Sequence, residues 1–306
     1  MKNQTIDSII NCKKKEDADC IVLTASYDRT SSLGKGASRG GRAIVKCLKE
    51  DVEFLDRYTM TEPGYMFKIA HHDLGISNKM LPEKMVEQID QKYSRLMNDK
   101  QFLMLLGGDH SVSAGALRAI SKKEDPGDIT ILQIDAHCDF RDDDSNSNPN
   151  QSCISKYAHA CVMRRAHEMG FNIVQVGVRS YAKEEYDFFR QKKTIRVFEW
   201  GRAQGHSIEK IVKSIKTNKV YISLDIDGID PAHMPATGTP VQGGLEWYYT
   251  IGLLSRLIKG KKIIGADIVE VAPINDSSLT EFGAAQLCYN IIGTQLLKEK
   301  LNFFKK

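Results

Sequence analysis

Residues 220–231 read VYISLDIDGIDP, an apolar run that ends in a series of aspartates. Two other segments have the same form: FLMLLGGDHS at 102–111 and ITILQIDAHCD at 129–139. Each apolar run is short and continuous, as is typical of a strand that is buried on both faces of a sheet. Ligands of open α/β sheets bind beyond the carboxyl ends of the strands. The three polar ends therefore predict a functional site at one edge of a sheet.

The rest of the chain alternates apolar runs with helical patterns. The predicted strands lie at 20–24, 67–70, 102–106, 129–134, 172–178, 194–198, 220–224 and 263–269. The predicted helices lie at 84–97, 113–121, 155–169, 207–216, 246–258 and 280–298. This alternation predicts an α/β fold in which helices cover both faces of a parallel sheet of about eight strands. Since no linker or repeat divides the sequence, we expect one domain over residues 1–306.

The composition indicates an ordinary globular protein. Hydrophobic residues make up 42% of the 306 residues and charged residues 27%. The net charge of +4 comes from scattered basic residues, which argues against a nucleic-acid partner. No apolar stretch approaches the roughly 18 residues of a membrane span, and the N-terminus does not resemble a secretory leader. The seven cysteines lack CxxC spacing, so we expect free thiols and a cytoplasmic location.

Six carboxylate and imidazole side chains follow the three strands. They are His110, Asp135, His137, Asp139, Asp225 and Asp227. Residues two apart in an extended segment point the same way, so we expect these groups to converge. Four carboxylates held together repel one another, and two divalent cations would balance their charge. The oxygen-rich set favours Mn²⁺, with zinc, cobalt, nickel and iron as alternatives. One aspartate pair alone could equally cap a helix or form a turn.

The same segments resemble the ureohydrolases, the arginase and agmatinase family. GGDHS at 107–111, DAHCD at 135–139 and SLDIDGIDP at 223–231 match the three metal motifs of that family. PATGTPVQGGL at 235–245 and DIVEV at 267–271 match two further elements, and the order is kept over residues 20–295. The resemblance implies an arginase-like, three-layer α/β/α fold with a mostly parallel eight-stranded sheet. It also implies a homo-oligomer, either a trimer or a hexamer.

The resemblance further implies two Mn²⁺ ions per subunit and assigns their ligands. One ion would be held by His110, Asp135, Asp139 and Asp225, and the other by Asp135, His137, Asp225 and Asp227. Two aspartates would thus bridge the ions, and Asp139 counts among the catalytic residues. A hydroxide between the ions would attack the guanidinium carbon of a small guanidino substrate.

Three more residues match catalytic or substrate-binding positions of the family. Glu270 matches the carboxylate that holds the guanidinium, and His159 matches a histidine that transfers protons. His159 could also pack at a helix start, and Ala160 stands where the family usually has glycine. Thr239 matches a threonine near the reacting group, with a plain turn as the alternative. Cys138 lies between two ligands, and strand alternation points it away from the metal ions as a structural residue.

The substrate's tail is less well defined by the sequence. The arginase segment that binds the α-carboxylate and α-amine of arginine is missing from residues 140–159. HACVMRRA at 159–166 and GASRGGRAI at 36–44 resemble agmatinases, although Ser38 and Gly41 stand where Arg and Pro are frequent. We therefore predict hydrolysis of agmatine to putrescine and urea. The alternatives are guanidinobutyrate, guanidinopropionate or arginine as substrate, or a formiminoglutamase.

Two interpretations stay open at this point. The polar segment RDDDSNSNPNQ at 141–151 follows the second motif directly and could be a lid, a rim or a plain surface loop. Its aspartates could attract a cationic tail. A non-catalytic homologue that keeps the fold for metal binding or regulation is an explanation of a different class. We expect such a protein to lose ligands or Glu270, and this chain keeps them.

Overall fold

Eight strands form one sheet in the computed structural model, which describes residues 7–146, 154–201 and 205–303. The strands are β1 Cys20–Thr24, β2 Ile69–Asp73, β3 Phe102–Leu106, β4 Ile129–Ile134, β5 Asn172–Val176, β6 Ile195–Phe198, β7 Lys219–Asp225 and β8 Lys262–Val269. Their spatial order is β2-β1-β3-β8-β7-β4-β5-β6, and each neighbouring pair is parallel. The predicted parallel sheet of about eight strands is confirmed.

Helices cover both faces of this sheet. In the described ranges they are α1 Gly40–Glu50, α2 Pro63–Met66, α3 Pro82–Leu96, α4 Ser113–Ser121, α5 Val162–Glu168, α6 Lys183–Phe189, α7 Ile208–Ser214, α8 Trp247–Gly260 and α9 Leu279–Phe303. Helices α3 to α6 bury side chains in one apolar cluster, and α1, α7, α8 and α9 bury theirs in the other. The three-layer α/β/α arrangement is therefore confirmed. Among these helices, none is both long and apolar enough to cross a membrane.

The apolar run of strand β1 does not alternate with polar residues because both faces of the strand are buried. Cys20 and Val22 pack into the apolar cluster on one face, and Ile21 and Leu23 pack into the cluster on the other. All four side chains are fully buried. Burial of a large aliphatic side chain contributes about 1.5–3 kcal/mol. Since helices cover both faces, every position of this strand gains from being apolar.

Helix α1 lies outside the predicted helices because two glycines open it, and glycine disfavours a helix. The structure shows why glycines stand there. A Cβ atom on Gly40 would lie 2.1 Å from the carbonyl oxygen of Val271, and one on Gly41 would lie 2.7 Å from that of Leu106. The first turn of α1 thus packs directly against the carboxyl ends of β3 and β8.

One predicted helix is shorter in the structure, and one predicted loop is only partly described. The helix expected at 155–169 is shorter: a 3₁₀ turn at His159–Cys161 precedes α5. Ala158 has an extended backbone with ψ 164°, so the helix cannot begin before it. The segment 141–151 is described only to residue 146, and residues 147–151 lie outside the described ranges. Its role as a lid or rim stays a prediction.

Four adjacent strands place the polar ends of the sequence side by side. Leu106 of β3, Ile268 of β8, Leu224 of β7 and Ile134 of β4 occupy one row of the register. The chain leaves each strand within two residues of this row, at the same edge of the sheet. Chain segments far apart in the sequence therefore meet at this edge.

Candidate metal centre

The His110 imidazole faces three carboxylates. Its Nδ1 atom lies 3.1 Å from Asp135 Oδ2, 2.9 Å from Asp139 Oδ2 and 3.4 Å from Asp225 Oδ2. All four residues are buried. The Nδ1 atom is itself buried and forms no hydrogen bond with any described residue. A buried nitrogen without a hydrogen bond, surrounded by carboxylate oxygens, fits a metal ligand.

A second group of ligand atoms adjoins the first through Asp135. His137 Nδ1 lies 3.0 Å from Asp227 Oδ2 and 3.5 Å from Asp135 Oδ1. Asp135 thus turns one oxygen towards His137 and the other towards His110. In each of the groups His110–Asp135–Asp225 and Asp135–His137–Asp227, one ligand atom per residue lies within 4.8 Å of the others. All six predicted ligands meet at this edge, with Asp139 beside the first group.

The carboxylates carry charge that their surroundings do not fully balance. Burial, and then repulsion from Asp135, raises the pKa of Asp139 to about 7. Burial and neighbouring carboxylates likewise raise the pKa values of Asp225 and Asp227. Burial also acts to raise the pKa of Asp135, but its interactions with His110 and His137 outweigh burial, so that this pKa is lowered. Four oxygen-donor side chains and two imidazoles with surplus negative charge fit a pair of divalent cations.

A hydrogen bond on the second ring nitrogen, Nε2, fixes the orientation of the His110 imidazole. Its Nε2 atom lies 2.9 Å from Ser223 Oγ, and that hydroxyl donates to Asp267 Oδ1 at 2.8 Å. Because the hydroxyl proton is directed at Asp267, Ser223 accepts the proton of Nε2. This tautomer leaves the lone pair on Nδ1, which points into the carboxylate group. Such support of a histidine ligand by a hydrogen bond on its second nitrogen is the usual arrangement in metal sites.

Two residues at the centre have unusual backbones. Among the described residues other than glycine, only Met60, Asp139 and Glu270 have a positive φ, at 52°, 55° and 64°. The left-handed region costs of order 1–3 kcal/mol for such residues and occurs most often at functional sites. The strain at Asp139 and Glu270 therefore agrees with a functional role for the loops that follow β4 and β8.

Glu270 and His159 meet beside the metal ligands. His159 Nδ1 lies 3.6 Å from Glu270 Oε1, and Glu270 is only 3% exposed. The Oε2 atom of Glu270 accepts no hydrogen bond from the described residues. Thr239 lies on the other side, where its Oγ1 donates to Asp227 Oδ2 at 3.1 Å. The structure thus brings His159 to Glu270, while Thr239 contacts a predicted metal ligand.

A cavity of about 330 Å³ opens over the ligands, large enough for a small molecule. The predicted residues in its wall are His137, Asp139, His159, Asp225, Asp227 and Thr239. Arg141 and Glu185 also line it and bring opposite charges to the wall. Burial raises the pKa of Glu185, whose two oxygens accept hydrogen bonds from backbone N–H groups at 3.0 and 2.8 Å.

Comparison with known proteins gives the family. The sequence model of the arginase family matches residues 18–293. The chain belongs to the arginase family. An N(1)-aminopropylagmatine ureohydrolase of Synechocystis sp. is 35% identical over 292 residues, covering 90% of this chain and 89% of that protein. A guanidinobutyrase of Pseudomonas aeruginosa is 34% identical over 289 residues, covering 90% and 85%.

A solved structure agrees with this family membership. The agmatine ureohydrolase of Thermoplasma volcanium has a TM-score of 0.82 at 30% identity and covers 97% of both chains. The resemblance stated from the sequence is confirmed, as is the enzyme class, a hydrolase of amidine C–N bonds. This arginase-family chain is therefore a ureohydrolase.

Several contacts of the arginase-family site were not predicted from the sequence. Thr30 donates from its N–H and its hydroxyl to Asp109 Oδ2, at 2.9 and 2.8 Å, and its hydroxyl accepts the N–H of His159 at 3.0 Å. Thr30 lies 79 residues from Asp109 and 129 from His159, so the sequence carries no local signal of this link. Asp267 belongs to a quoted motif, but its contact with Ser223 becomes visible only when β7 and β8 pair.

Proposed function

We propose that this chain hydrolyses the guanidinium group of a linear guanidino compound to urea and an amine, with agmatine as substrate and putrescine as product. The observation that carries the proposal is the meeting of two aspartate–histidine groups beside one cavity, with Glu270 next to His159 of the cavity wall. The guanidinium is cationic and resonance-stabilised, so its hydrolysis needs a fixed anion and a strong nucleophile.

The proposed ions are two Mn²⁺ per chain, held by the five residues of the two groups together with Asp139. When bound, a pair of divalent cations lowers the pKa of a water molecule and supplies a nucleophile near neutral pH. Glu270 is proposed to bind the guanidinium through Oε2, because Oε1 already accepts a hydrogen bond. His159, whose Nδ1 is 3.6 Å from that carboxylate, is proposed to pass a proton to the leaving amine.

The substrate's tail is proposed to be a cationic amine. The Synechocystis and Thermoplasma relatives are named for an aminopropyl derivative of agmatine and for agmatine itself. Arg141 favours a second candidate, guanidinobutyrate, since a guanidinium in the cavity wall would attract a carboxylate tail. The relative from Pseudomonas is named for that substrate. Glu185, beside Arg141 in the same wall, partly offsets this attraction.

The test is urea release by the Mn²⁺-loaded protein from agmatine, N(1)-aminopropylagmatine, guanidinobutyrate, guanidinopropionate and arginine. We expect the highest kcat/KM with agmatine. The Arg141→Gln variant should keep this preference for agmatine. A wild type that prefers guanidinobutyrate, and loses that preference in Arg141→Gln, would establish the second candidate. Absence of urea from every compound would contradict the proposal. We also propose a cytoplasmic homo-oligomer, a trimer or a hexamer, whose mass light scattering would measure.

A further inference from the structure

The guanidinium of Arg179 lies behind the candidate metal centre and bonds only to backbone carbonyl oxygens. The acceptors, at 2.6–3.2 Å, are the carbonyls of Gly177, Asp227, Gly228, Val241 and Gln242. The salt bridges that arginines form among the described residues do not include Arg179. All three nitrogens of the planar group therefore serve to hold backbone in place, which a lysine cannot do with the same geometry.

Apart from the carbonyl of Gly177, in the same loop as Arg179, these carbonyls belong to two loops that build one half of the centre. Gly228 and Asp227 lie in the turn after β7, and Val241 lies in the loop that carries Thr239. The backbone of Arg179 reaches a third loop, because its N–H donates to the carbonyl oxygen of Ala136, between Asp135 and His137, at 2.9 Å. One residue thus connects every loop that supplies the group Asp135–His137–Asp227.

Asp227 is the ligand held most directly. Arg179 Nη2 donates to its carbonyl oxygen at 2.7 Å. Its carboxylate accepts from Ala136 N–H at 3.0 Å and from Thr239 Oγ1 at 3.1 Å, and lies 3.0 Å from His137 Nδ1. Backbone and side chain of Asp227 are therefore fixed together. The side chain of His110 is supported differently, through Ser223 and Asp267, and neither of those contacts involves Arg179.

Charge alone does not explain an arginine at this place. The guanidinium lies in the field of the site's carboxylates, but two bound divalent cations would repel it. An electrostatic role would therefore weaken metal binding, whereas a geometric role would strengthen it. The two explanations predict opposite results for a neutral substitution.

We propose that Arg179 is a positioning residue that preforms the ion site made by Asp135, His137 and Asp227. It does so by holding the turn after β7 against the loop that carries Thr239 and against Ala136. The inference rests on the proposed function only in taking two ions per chain, and it concerns ion binding rather than the chemical step.

The experiment is Mn²⁺ binding to the full-length, metal-free protein, measured by calorimetry for wild type, Arg179→Gln and Arg179→Lys. Arg256→Gln is the matched control, since Arg256 is half-exposed and pairs with Glu209 away from the centre. We expect the first equivalent to bind within twofold of wild type in every variant. The second equivalent should weaken at least tenfold in both Arg179 variants and stay unchanged in the control.

Other outcomes overturn the proposal. Tighter binding in Arg179→Gln would indicate a purely electrostatic role, and equal weakening of both equivalents with a lower Tm would indicate general support of the fold. If the second Mn²⁺ binds the Arg179→Lys variant with the same affinity as wild type, the planar guanidinium is not needed. Wild type that binds a single ion would also contradict it. If wild type binds two ions but releases no urea, the proposed function fails while the comparison of variants still decides the role of Arg179.

Discussion

The backbone N–H of His110 donates a hydrogen bond to Glu270 Oε1 at 2.8 Å. The N–H of Glu270 in turn donates to the carbonyl oxygen of Gly108 at 2.8 Å. These two bonds join the loops after β3 and β8, which are neighbours in the sheet. A proposed metal ligand and the proposed guanidinium-binding carboxylate therefore keep a fixed separation. The bonds also stabilise the left-handed backbone of Glu270.

We predict that Glu270→Gln lowers kcat/KM for agmatine by about 100- to 1000-fold, because the amide still accepts from His110 but lacks the charge that binds the guanidinium. Mn²⁺ binding should be unchanged. Steady-state urea release and calorimetry measure the two effects. Glu246→Gln is the control, since that side chain is 82% exposed. Activity of Glu270→Gln within tenfold of wild type would contradict the assigned role.

Thr239→Val should reduce kcat/KM about tenfold, because Asp227 Oδ2 would lose its hydroxyl donor. A hydrogen bond to a charged group contributes about 1.5–3 kcal/mol, enough for an effect of this size. Thr239→Ser keeps the hydroxyl and should retain most of the activity. Equal losses in the two variants would instead assign the effect to the methyl group and its packing.

The protonation of His159 should make stability depend on pH. Burial opposes its positive charge, but the hydrogen bond with Glu270 and the nearby Asp109 and Asp139 outweigh burial, so that its pKa is raised above 6.5. The stabilisation is complete below the unfolded pKa near 6.5 and is lost as pH rises through the raised value.

We therefore expect His159→Gln to lower the free energy of unfolding of the metal-free protein more at about pH 6 than at about pH 9. Thermal unfolding at the two pH values measures the difference. Glu270→Gln should reduce this pH dependence, because its amide removes the main attraction for the proton. An effect of His159→Gln that is equal at both pH values would show that the histidine is not protonated in the folded protein.

Cys138 should resist alkylation in the folded protein even though it stands between two proposed ligands. It is fully buried, and burial raises the pKa of its thiol well above the ordinary value. Cys12, which is partly exposed, is the internal comparison. Treatment with iodoacetamide followed by mass spectrometry should find Cys12 modified before Cys138. Modification of Cys138 at a similar rate would argue for an opening of the site.

Much of the fold could be predicted because strand burial leaves a strong pattern. Strands β1, β3 and β4 coincide with their predicted ranges, since each is a fully buried apolar run. Strand β2 begins two residues later than predicted. It also continues through His71, His72 and Asp73, which are polar and only partly buried, so no apolar run marks this end of the strand. Short α6, with the sequence KEEYDFF, offers too few apolar positions for a helical period.

Of the candidate site, too, one part could be predicted from the sequence and another part could not. The convergence of the six side chains could be predicted because each follows a strand that ends at this edge of the sheet. The supporting contacts could not, since they join distant segments. Ser223 supports His110 from 113 residues away, and Arg179 bonds carbonyl oxygens, which every residue has. Only the pairing of β3, β8, β7 and β4 brings these groups together.

The most direct test of a two-ion guanidino hydrolase is a titration of the metal-free protein with Mn²⁺ while urea release from agmatine is followed. Activity should rise from zero and reach its maximum at two ions per chain, because five of the six proposed ligands form two groups that share Asp135. Removal of the ions with a chelator should abolish the activity again. Full activity at one ion per chain, or no urea with two ions bound, would contradict the account.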